Sequence, residues 1–498
     1  LARFHRSGGC HMESKTPMSK KNIVGAAVVV VLAAYGGATW YLGESARRHY
    51  EEALEEAKGF LGPQAVVSHQ YERGFWTSHA RLVLQWSAPT SADASDAPPA
   101  SPIRIAVDST LRHGPLAGAR LAAAVVESRF AAEGLDENAR QVLAKVSPPT
   151  LTTVHRLLGG HDLHFALPAG EVGAGDQRVV WQALTYQMSV DAARRKVSGS
   201  FQWPELSLSG VQTASADEDD EDDDGPAERF TMALQGMGGD FDMQIEDGLW
   251  MLAPGSGKGR FDKIVLTRAQ GDAAPQTLMA LQDLRYSAAI ERTGSTLGWT
   301  TKAQTQGSVG PLVLEAVGLE ETVSRIDVEA VKLFQKALVA AYRADPTQAA
   351  LLADPPGDAL WKEAAPLFVA ALPAYAVKLS ATLEGQQAML EYGAEIQTAP
   401  TADEVQARGW GPALLKGSVL HAGLRLPKAW LPRIVQAMGQ QDMPAEQIDA
   451  MVGMAQAQGF VQQEAEHLTS AVRLEGGKLQ LNGKALDLPM LKPVPQGE

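Results

Sequence analysis

The sequence contains a single cysteine, Cys10, among its 498 residues. The rest of the chain therefore cannot form a disulfide, an iron–sulfur site or a thiolate zinc site. A body free of cysteine is compatible with an oxidising periplasm, where stray thiols would mispair. Cys10 itself follows neither an apolar stretch nor the small residues of a lipobox, so the sequence does not predict lipidation.

Basic clusters and aromatic residues are also scarce. Lysine and arginine total 44 against 58 acidic residues, which gives a formal net charge of −14. Binding to nucleic-acid phosphates needs a basic face, and no Lys/Arg cluster of that kind appears. Aromatic residues make up 6% of the chain and do not alternate with basic ones, as a stacking platform for single strands requires. The composition argues against a nucleic-acid partner.

Motifs for catalysis and metal binding are missing as well. The sequence has no His-Glu-x-x-His, no Gly-x-Ser-x-Gly and no carboxylate in an apolar setting that would suit acid–base work. Gly255-Ser-Gly-Lys-Gly lacks the Ser or Thr that follows the lysine of a phosphate-binding loop, because Gly259 stands there, and we expect a glycine-rich turn. On a strand, His161 and His164 face opposite sides and cannot share a metal ion. We therefore predict no catalytic residue, no cofactor, no metal and no enzymatic activity.

One long uncharged run stands near the start of the chain. After Met18 and the following Ser-Lys-Lys-Asn, residues 23–42 carry no charge. A helix of about twenty residues spans about 30 Å, the thickness of the hydrocarbon core of a bilayer. Trp40 and Tyr41 fall at one end, where interfacial aromatic residues sit. We predict an uncleaved membrane anchor over residues 18–44.

The charges around this run leave two alternatives open. Lys20 and Lys21 also fit the n-region of a cleaved signal peptide, although the run is longer than the apolar core of most signals and no small-x-small site ends it. The same lysines favour an N-terminus inside, but Arg47 and Arg48 lie close on the other side, so charge leaves the orientation nearly even. We expect residues 1–17, which differ from the rest, to be an upstream or non-native leader.

Alternation of apolar and polar residues recurs along most of the remaining chain. Such strands have one dry and one wet face, which is typical of antiparallel sheets covered on one side. Near the C-terminus, short alternating segments joined by Gly476-Gly477 and Asn482-Gly483 predict a meander, because both positions of an Asn-Gly hairpin turn need positive φ. The clearest other strands are predicted at 80–86, 103–111, 206–209, 240–246, 377–384 and 420–426.

Helical periodicity is rarer and follows groups of strands rather than alternating with them. We predict an α+β fold: one N-terminal transmembrane helix, then a large elongated body of mainly antiparallel β-sheet with a few packed helices. Helices are predicted at 45–62, 326–343, 358–372 with a kink at Pro366, 430–438 and 444–458. The predicted regions are a β-rich periplasmic region (45–323), a helical segment (324–376) and a C-terminal β/α region (377–498).

Two stretches lack either period. Residues 88–102 form a Ser/Ala/Pro-rich loop, and residues 217–224 are eight consecutive acidic residues, which we expect to be a solvated insertion in a hairpin. The acidic tract lacks the glycine and spaced ligands of an EF-hand. The apolar faces of these strands have two interpretations. We expect helices to cover them as an ordinary core; alternatively, an open part of the apolar surface shelters acyl chains.

Four short motifs stand in order along the chain. They are Met-Ser-Lys-Lys with a Gly-rich span ending in Trp40-Tyr41-x-Gly43, Tyr71-x-Arg73-Gly74-x-Trp76-x-Ser78, His113-Gly114-Pro115, and Gly477-x-Leu479-x-Leu481-Asn482-Gly483. Together they resemble the YdgA-like family of bacterial envelope proteins, whose domain has no established function. The resemblance covers almost the whole chain from Met18. It implies a single-pass inner-membrane protein with its body in the periplasm and a homodimer, and it supplies no catalytic residue.

The motif positions have a structural and a functional interpretation. We expect structural roles at strand ends, with bends, stops and hydrogen bonds to loop carbonyls. Alternatively, Tyr71, Arg73 and His113 converge on an anionic headgroup. The positions concerned are Tyr71, Arg73, Gly74, Ser78, His113, Gly114, Pro115, Asn482 and Gly483.

For the whole chain we predict a membrane-anchored periplasmic envelope protein with a non-enzymatic structural, interaction or lipid-handling role. Its expected partners are the membrane, through residues 23–42, a second copy of the chain, and a lipid or another envelope protein. A soluble exported lipid carrier, released by signal cleavage, is the alternative, and a periplasmic hydrolase comes third.

Overall fold

The computed structural model describes residues 20–61, 65–86, 103–135, 137–175, 177–212, 228–271, 273–344, 358–437 and 443–486. The predicted leader (1–17), the loop 88–102 and the acidic tract 217–224 lie outside the described residues. The described chain is mostly antiparallel β-sheet with a few helices, which confirms the β-rich part of the predicted fold class. Among these residues, no helix combines the length and the apolar character that crossing a membrane requires.

The N-terminal part begins with one long helix and continues as strands. Helix α1 (Lys20–Leu61) is followed by β1 (Val66–Glu72), β2 (Thr77–Trp86) and β3 (Ile103–His113). A separate two-stranded ribbon contains β4 (Leu116–Ala117) and β5 (Arg120–Leu121). After it come β6 (Ala124–Glu133), α2 (Glu137–Leu143), β7 (Thr150–His155), β8 (His161–Leu167), β9 (Gly170–Ala174), β10 (Gln177–Trp181) and β11 (Leu184–Val190).

Long strands fill the middle of the chain, and helices appear toward its end. The long strands are β12 (Lys196–Gln212), β13 (Glu228–Gln244), β14 (Gly255–Gln270), β15 (Gln276–Thr293), β16 (Thr296–Val309) and β17 (Leu312–Asp327). The later elements are α3 (Val328–Ala344), α4 (Asp358–Ala370), β18 (Ala374–Leu383), β19 (Gln386–Ile396), α5 (Ala402–Arg408), α6 (Trp410–Gly417), β20 (Ser418–Pro427), a 3-10 turn (Lys428–Trp430), α7 (Leu431–Ala437), α8 (Ala445–Ala457), β21 (Gln462–Glu464), β22 (His467–Glu475), β23 (Lys478–Leu481) and β24 (Lys484–Leu486).

One continuous antiparallel sheet runs through the described chain. Its strands pair in the order β1–β2–β3–β6–β7–β8–β11–β12, and from β12 to β20 each strand pairs with the next in sequence. Strand β20 then pairs with β22, followed by β23 and β24. The helices α3 and α4 lie between β17 and β18, yet these two strands pair with each other. Helical insertions therefore leave the meander unbroken.

The two faces of this sheet differ in chemistry. Residues that pair directly across antiparallel strands lie on the same face. One such row crosses 17 strands without a charged residue: Tyr71, Ala80, Ser109, Ser128, Leu151, Phe165, Tyr186, Phe201, Gly239, Gly259, Tyr286, Ala303, Leu319, Leu379, Leu390, Leu424 and Ser470. We call the side of the sheet that carries this row the apolar face.

The opposite face carries charges of alternating sign. Across β13 to β19 a neighbouring row places Asp240 beside Lys258, and further on Lys302 beside Glu320. Lys302 Nζ lies 2.9 Å from Glu320 Oε1, and Lys258 Nζ lies 3.6 Å from Asp240 Oδ2. Such exposed pairs contribute little stability, but their charges suit this face to contact with water. The sheet is therefore amphipathic as a whole. Its apolar face needs cover from other elements, which the helices provide.

Helices cover the apolar face of β17 to β20 at both ends of the strands. At one end, Val328 and Val331 of α3 pack on Leu297 and Val323, together with Phe368 of α4. At the other end, the 3-10 turn and α7 place Trp430 and Ile434 against Leu383, Ala388 and Leu426. At the start of the sheet, α1 lies over β3 and β6. The expectation of a helix-covered face thus holds at these places.

The structure contradicts one of the sequence predictions and confirms three others. Gly255-Ser-Gly-Lys-Gly is not a turn; it is the start of β14. A Cβ at Gly259 would lie 2.3 Å from Cζ of Tyr286, so the glycine makes room for a ring that packs flat on the apolar face. The C-terminal hairpin has the predicted positive φ at Asn482 and Gly483, 51° and 77°. The helices predicted around residues 326–343 and 358–372 are α3 and α4.

Candidate functional site

The motif at the β1–β2 turn holds helix α1. The ring of Tyr71 lies 5.1 Å from the ring of Tyr50 on α1, measured between centroids. Arg73 Nη1 lies 2.7 Å from Glu44 Oε2, and its other amino group donates to the carbonyl of Trp40 at 3.3 Å. The guanidinium also lies 5.4 Å from the centroid of the Trp40 ring, a cation–π distance. Tyr71 and Arg73 therefore meet α1 rather than each other.

Ser78 and His113 form a buried pair under the same helix. Ser78 Oγ and His113 Nε2 share a hydrogen bond of 2.8 Å, and the two residues are 0% and 2% exposed. The backbone N–H of Gly74 donates to Ser78 Oγ at 3.3 Å. A Cβ at Gly43 of α1 would lie 3.2 Å from His113 Cδ2, a tight contact, so the glycine lets the helix pass close to the ring. The imidazole bonds Ser78 instead of the loop carbonyl that the sequence suggested.

A serine and a histidine at this distance invite comparison with hydrolases. Burial lowers the pKa of His113, and the charge of Arg73 lowers it further, so the ring is neutral at pH 7. Within the described ranges its Nδ1 has no hydrogen-bond partner, whereas a catalytic base is oriented by a third group. Both side chains are also closed to solvent. This geometry fits a contact that seats α1 on the sheet.

The other motif positions shape turns. A Cβ at Gly114 would lie 1.9 Å from the carbonyl oxygen of Ala122, which excludes any side chain there, and the following bond to Pro115 is cis. The backbone N–H of Gly114 donates to the carbonyl of Ala123 at 2.8 Å. These residues start the β4–β5 ribbon next to His113.

Asn482 and Gly483 lie far along the meander, between β23 and β24. Asn482 Oδ1 accepts from the N–H of Ala471 at 2.8 Å, and its Nδ2 donates to the carbonyl of Gly459 at 2.8 Å. These bonds fix the chain that leaves α8 to the last hairpin. The structure therefore does not bring this motif together with Arg73 and His113, which belong to the first strands.

A cavity of about 520 Å³ lies between α1 and the apolar face of β2, β3 and β6. Its walls include Leu42 and Ala53 of α1 and Leu111 and Val126 of the sheet. No carboxylate is among the described residues that line it. Its titratable lining residues are His49, Tyr50, His155, Arg156, His161 and Arg194. We call this space the junction cavity.

Two imidazoles meet at the base of the junction cavity. His155 and His161 pair across β7 and β8, with their Nδ1 atoms 3.2 Å apart. Burial lowers the pKa of His155 to about 4, helped by the charges of His161 and His49. Burial also lowers the pKa of His161, and the guanidinium of Arg194 adds to this effect. Both rings are therefore neutral at pH 7; one ring donates its Nδ1–H to the other, which leaves one N–H of the pair free to donate.

The guanidinium of Arg156 is held by its own carboxylate. Its Nε donates to Asp162 Oδ2 at 2.8 Å, and the pairing lowers the pKa of Asp162. His164 lies on the other face of β8, where it pairs with Thr152, so His161 and His164 do not meet, as predicted. In the described part of the chain, no group of three potential ligands could hold a metal ion.

Between the two helical covers of β17 to β20, the apolar face is open. Leu390, Tyr392 and Leu424 are 38%, 39% and 39% exposed there, and all three lie on the apolar face. Met232 and Tyr286, further back along the same face, are also more than a third exposed. We call the part of the apolar face that contains these five residues the open groove. Contiguous exposed apolar surface of this kind is a binding feature in soluble proteins.

A small polar cluster interrupts the open groove. Tyr375 Oη and Tyr392 Oη lie 3.5 Å apart, and both rings stand on the apolar face. The hydrogen bond to Tyr392, with the nearby carboxylate of Glu321, raises the pKa of Tyr375 to about 12. Glu321 pairs with Thr301 and Val377, which puts it on the same face.

Sequence reasoning found the motif residues but missed the junction cavity. His49, His155 and Arg194 stand far apart in sequence and share no local motif. The pairing of His155 with His161 was accessible, since both flank the turn at Gly159-Gly160 and would face each other in a tight hairpin. The remaining members meet only because α1 lies over the sheet.

A family model for bacterial proteins of unknown function matches residues 18–489 of the chain. No curated protein and no solved structure matches it.

Proposed function

We propose that this chain, which belongs to the bacterial family of unknown function DUF945, is a membrane-anchored, non-enzymatic envelope protein that shelters lipid acyl chains. The observation that carries the proposal is the apolar face, an uncharged row across 17 strands that stays open in the groove at Leu390, Tyr392 and Leu424. Exposed apolar area on this scale is unfavourable in water, so an occupant that covers it is expected.

An acyl chain suits this groove better than a peptide does. The backbone groups of the floor are bonded within the ladder, so apart from the cluster of Tyr375, Tyr392 and Glu321 the floor offers almost no free donors or acceptors. A peptide laid across it would leave its own N–H and C=O groups without partners, which costs free energy for each group. A hydrocarbon chain has no such groups. The helical covers at both strand ends direct the groove across the strands.

The proposed anchor and location rest on the sequence. Residues 23–42 carry no charge, lysines precede them, and Trp40 and Tyr41 stand at their end. The side chains of Val31 and Leu32 on α1 are exposed, as the lipid-facing surface of an anchor would be. We propose a single span in the inner membrane with the body in the periplasm. The four ordered motifs support a YdgA-like member of the family and, with it, a homodimer.

Site-specific photocrosslinking in intact cells tests lipid binding. A photoreactive residue at position 390 or 424 points into the open groove, while its neighbours at 391 and 425 point to the charged face and serve as matched controls. We expect phospholipid adducts from Leu390 and Leu424 and none from Glu391 and Arg425. Equal adducts from both faces, or none from the groove in a folded full-length chain, would overturn the proposal.

A soluble exported lipid carrier would use the same groove after signal cleavage. Intact mass after extraction in mild detergent separates the two proposals, because an anchored protein retains residues 23–42 and a carrier has lost them. For a hydrolase, replacement of His113 would abolish turnover in a protein that still folds. We expect loss of stability instead, since His113 is buried beneath α1.

A further inference from the structure

We infer that the junction cavity binds the headgroup of an anionic phospholipid whose acyl chains lie along the apolar face. This inference rests on the proposed lipid binding and adds the class of lipid and the place of its head. The cavity volume of about 520 Å³ falls in the usual range of small-ligand sites. Its lining combines an apolar wall with a basic rim, as the two ends of an amphiphile require.

The charge of the lining selects an anion. His49 on α1, His155, Arg156 and His161 around the β7–β8 turn, and Arg194 before β12 all face the cavity. Asp162 offsets the charge of Arg156, and His49 Nδ1 lies 3.0 Å from Glu52 Oε2, so that nitrogen already has a partner. The charge of Arg194 and the one free N–H of the neutral imidazole pair remain to meet a phosphate. A basic rim is unusual in a chain of net charge −14.

The position of the cavity agrees with a lipid source. Leu42, which lines it, is the last residue of the uncharged run, and His49 follows seven residues later on the same helix. At 1.5 Å per residue this rise is about 10 Å, so the basic rim would stand just beyond the membrane surface. The apolar wall is part of the same face as the open groove, because Leu111 and Val126 stand two residues from Ser109 and Ser128 of the uncharged row.

Binding of lipids with one chain composition and two headgroups tests the inference. The full-length protein in mild detergent is titrated with fluorescent phosphatidylglycerol and with phosphatidylcholine that carries the same acyl chains. We expect tighter binding of phosphatidylglycerol. Arg194→Gln should weaken it about tenfold, the loss of one charge-assisted hydrogen bond, without changing phosphatidylcholine binding. Arg195→Gln is the matched control, since it removes the same charge from the neighbouring residue, which does not line the cavity.

The outcomes separate this inference from the proposed function. Equal binding of both lipids, or equal effects of Arg194→Gln and Arg195→Gln, would overturn the headgroup site while leaving acyl-chain binding intact. Binding of neither lipid would overturn both. Displacement of phosphatidylglycerol by inorganic phosphate at equal concentration would assign the cavity to a free anion instead. Should Arg194→Gln fail to fold, His161→Gln replaces it, with the same expected loss of headgroup preference.

Discussion

His155 makes the stability of the β7–β8 region depend on pH. The unfolded chain takes up a proton on this residue near pH 6.5, whereas burial and the neighbouring imidazoles delay uptake in the folded chain to about pH 4. The folded state therefore binds fewer protons between these values. The stability that His155 contributes is present in full above pH 6.5 and is lost as the pH falls toward 4. The interval of about 2.5 pH units corresponds to up to about 3 kcal/mol.

Urea unfolding of the full-length protein in mild detergent, followed by tryptophan fluorescence, measures this loss. Carboxylates also titrate in the acid range, so the informative quantity is the difference between the natural chain and His155→Gln. We expect the variant to lose less stability between pH 7 and pH 4, by up to about 3 kcal/mol. His69→Gln, at an exposed position of β1, is the control and should leave the pH dependence unchanged. Parallel pH profiles for His155→Gln and the natural chain would refute the reasoning.

Three further outcomes are expected. His113→Ala removes a buried ring and leaves the Ser78 hydroxyl short of a partner, and it should lower the free energy of unfolding by about 3 kcal/mol in the same urea assay. Gly259→Val would push against the Tyr286 ring and should cost about 1–3 kcal/mol, measured likewise; unchanged stability would contradict the packing of that ring on the glycine. On cell fractionation the full-length chain should sediment with membranes and need detergent for release, while deletion of residues 23–42 should make it soluble.

Much of the sheet was predictable because one rule governs it. A strand with one dry and one wet face shows strict alternation, and this signal located β18 and β20 within a few residues. The Asn482-Gly483 turn was equally clear, since few residues accept positive φ at both turn positions. Helices α3 and α8 followed from the change of period to 3.6.

The same rule fails where a strand contains an irregularity. In β15 the apolar positions change parity between Leu281 and Leu284, because Asp283 adopts φ 51° and one extra residue stands in the strand at this point. Both leucines consequently lie on the apolar face, although strict alternation would place residues three apart on opposite faces. The glycines at the start of β14 misled in a similar way. Gly259 makes room for the Tyr286 ring on the next strand, and Gly255 lies against the backbone of Asp242; no local sequence pattern reveals either contact.

The candidate sites show the same difference between local sequence patterns and contacts made by distant segments. Motif residues such as Arg73 and His113 could be named from the sequence, but their common target, helix α1, could not. Glycine at position 43 matters only because an imidazole from another strand lies beneath it. The junction cavity depends likewise on α1, which lies over β3 and β6 and brings His49 to the cavity that His155 and His161 line. Contacts between distant segments decide both sites, and single-sequence patterns carry no distances.

Energetics assign different roles to the open groove and the junction cavity. Burying a methylene group from water is worth about 0.8 kcal/mol, so an acyl chain would enter the open groove readily from water. From a bilayer the gain nearly vanishes, because the chain leaves one apolar environment for another. A groove next to a membrane would then exchange lipids reversibly, and acyl chains alone would give no selectivity. Discrimination must come from the polar head, where Arg194 and the imidazoles of His155 and His161 face an otherwise apolar wall. Binding of lipids by the sheet without any headgroup preference would contradict this assignment.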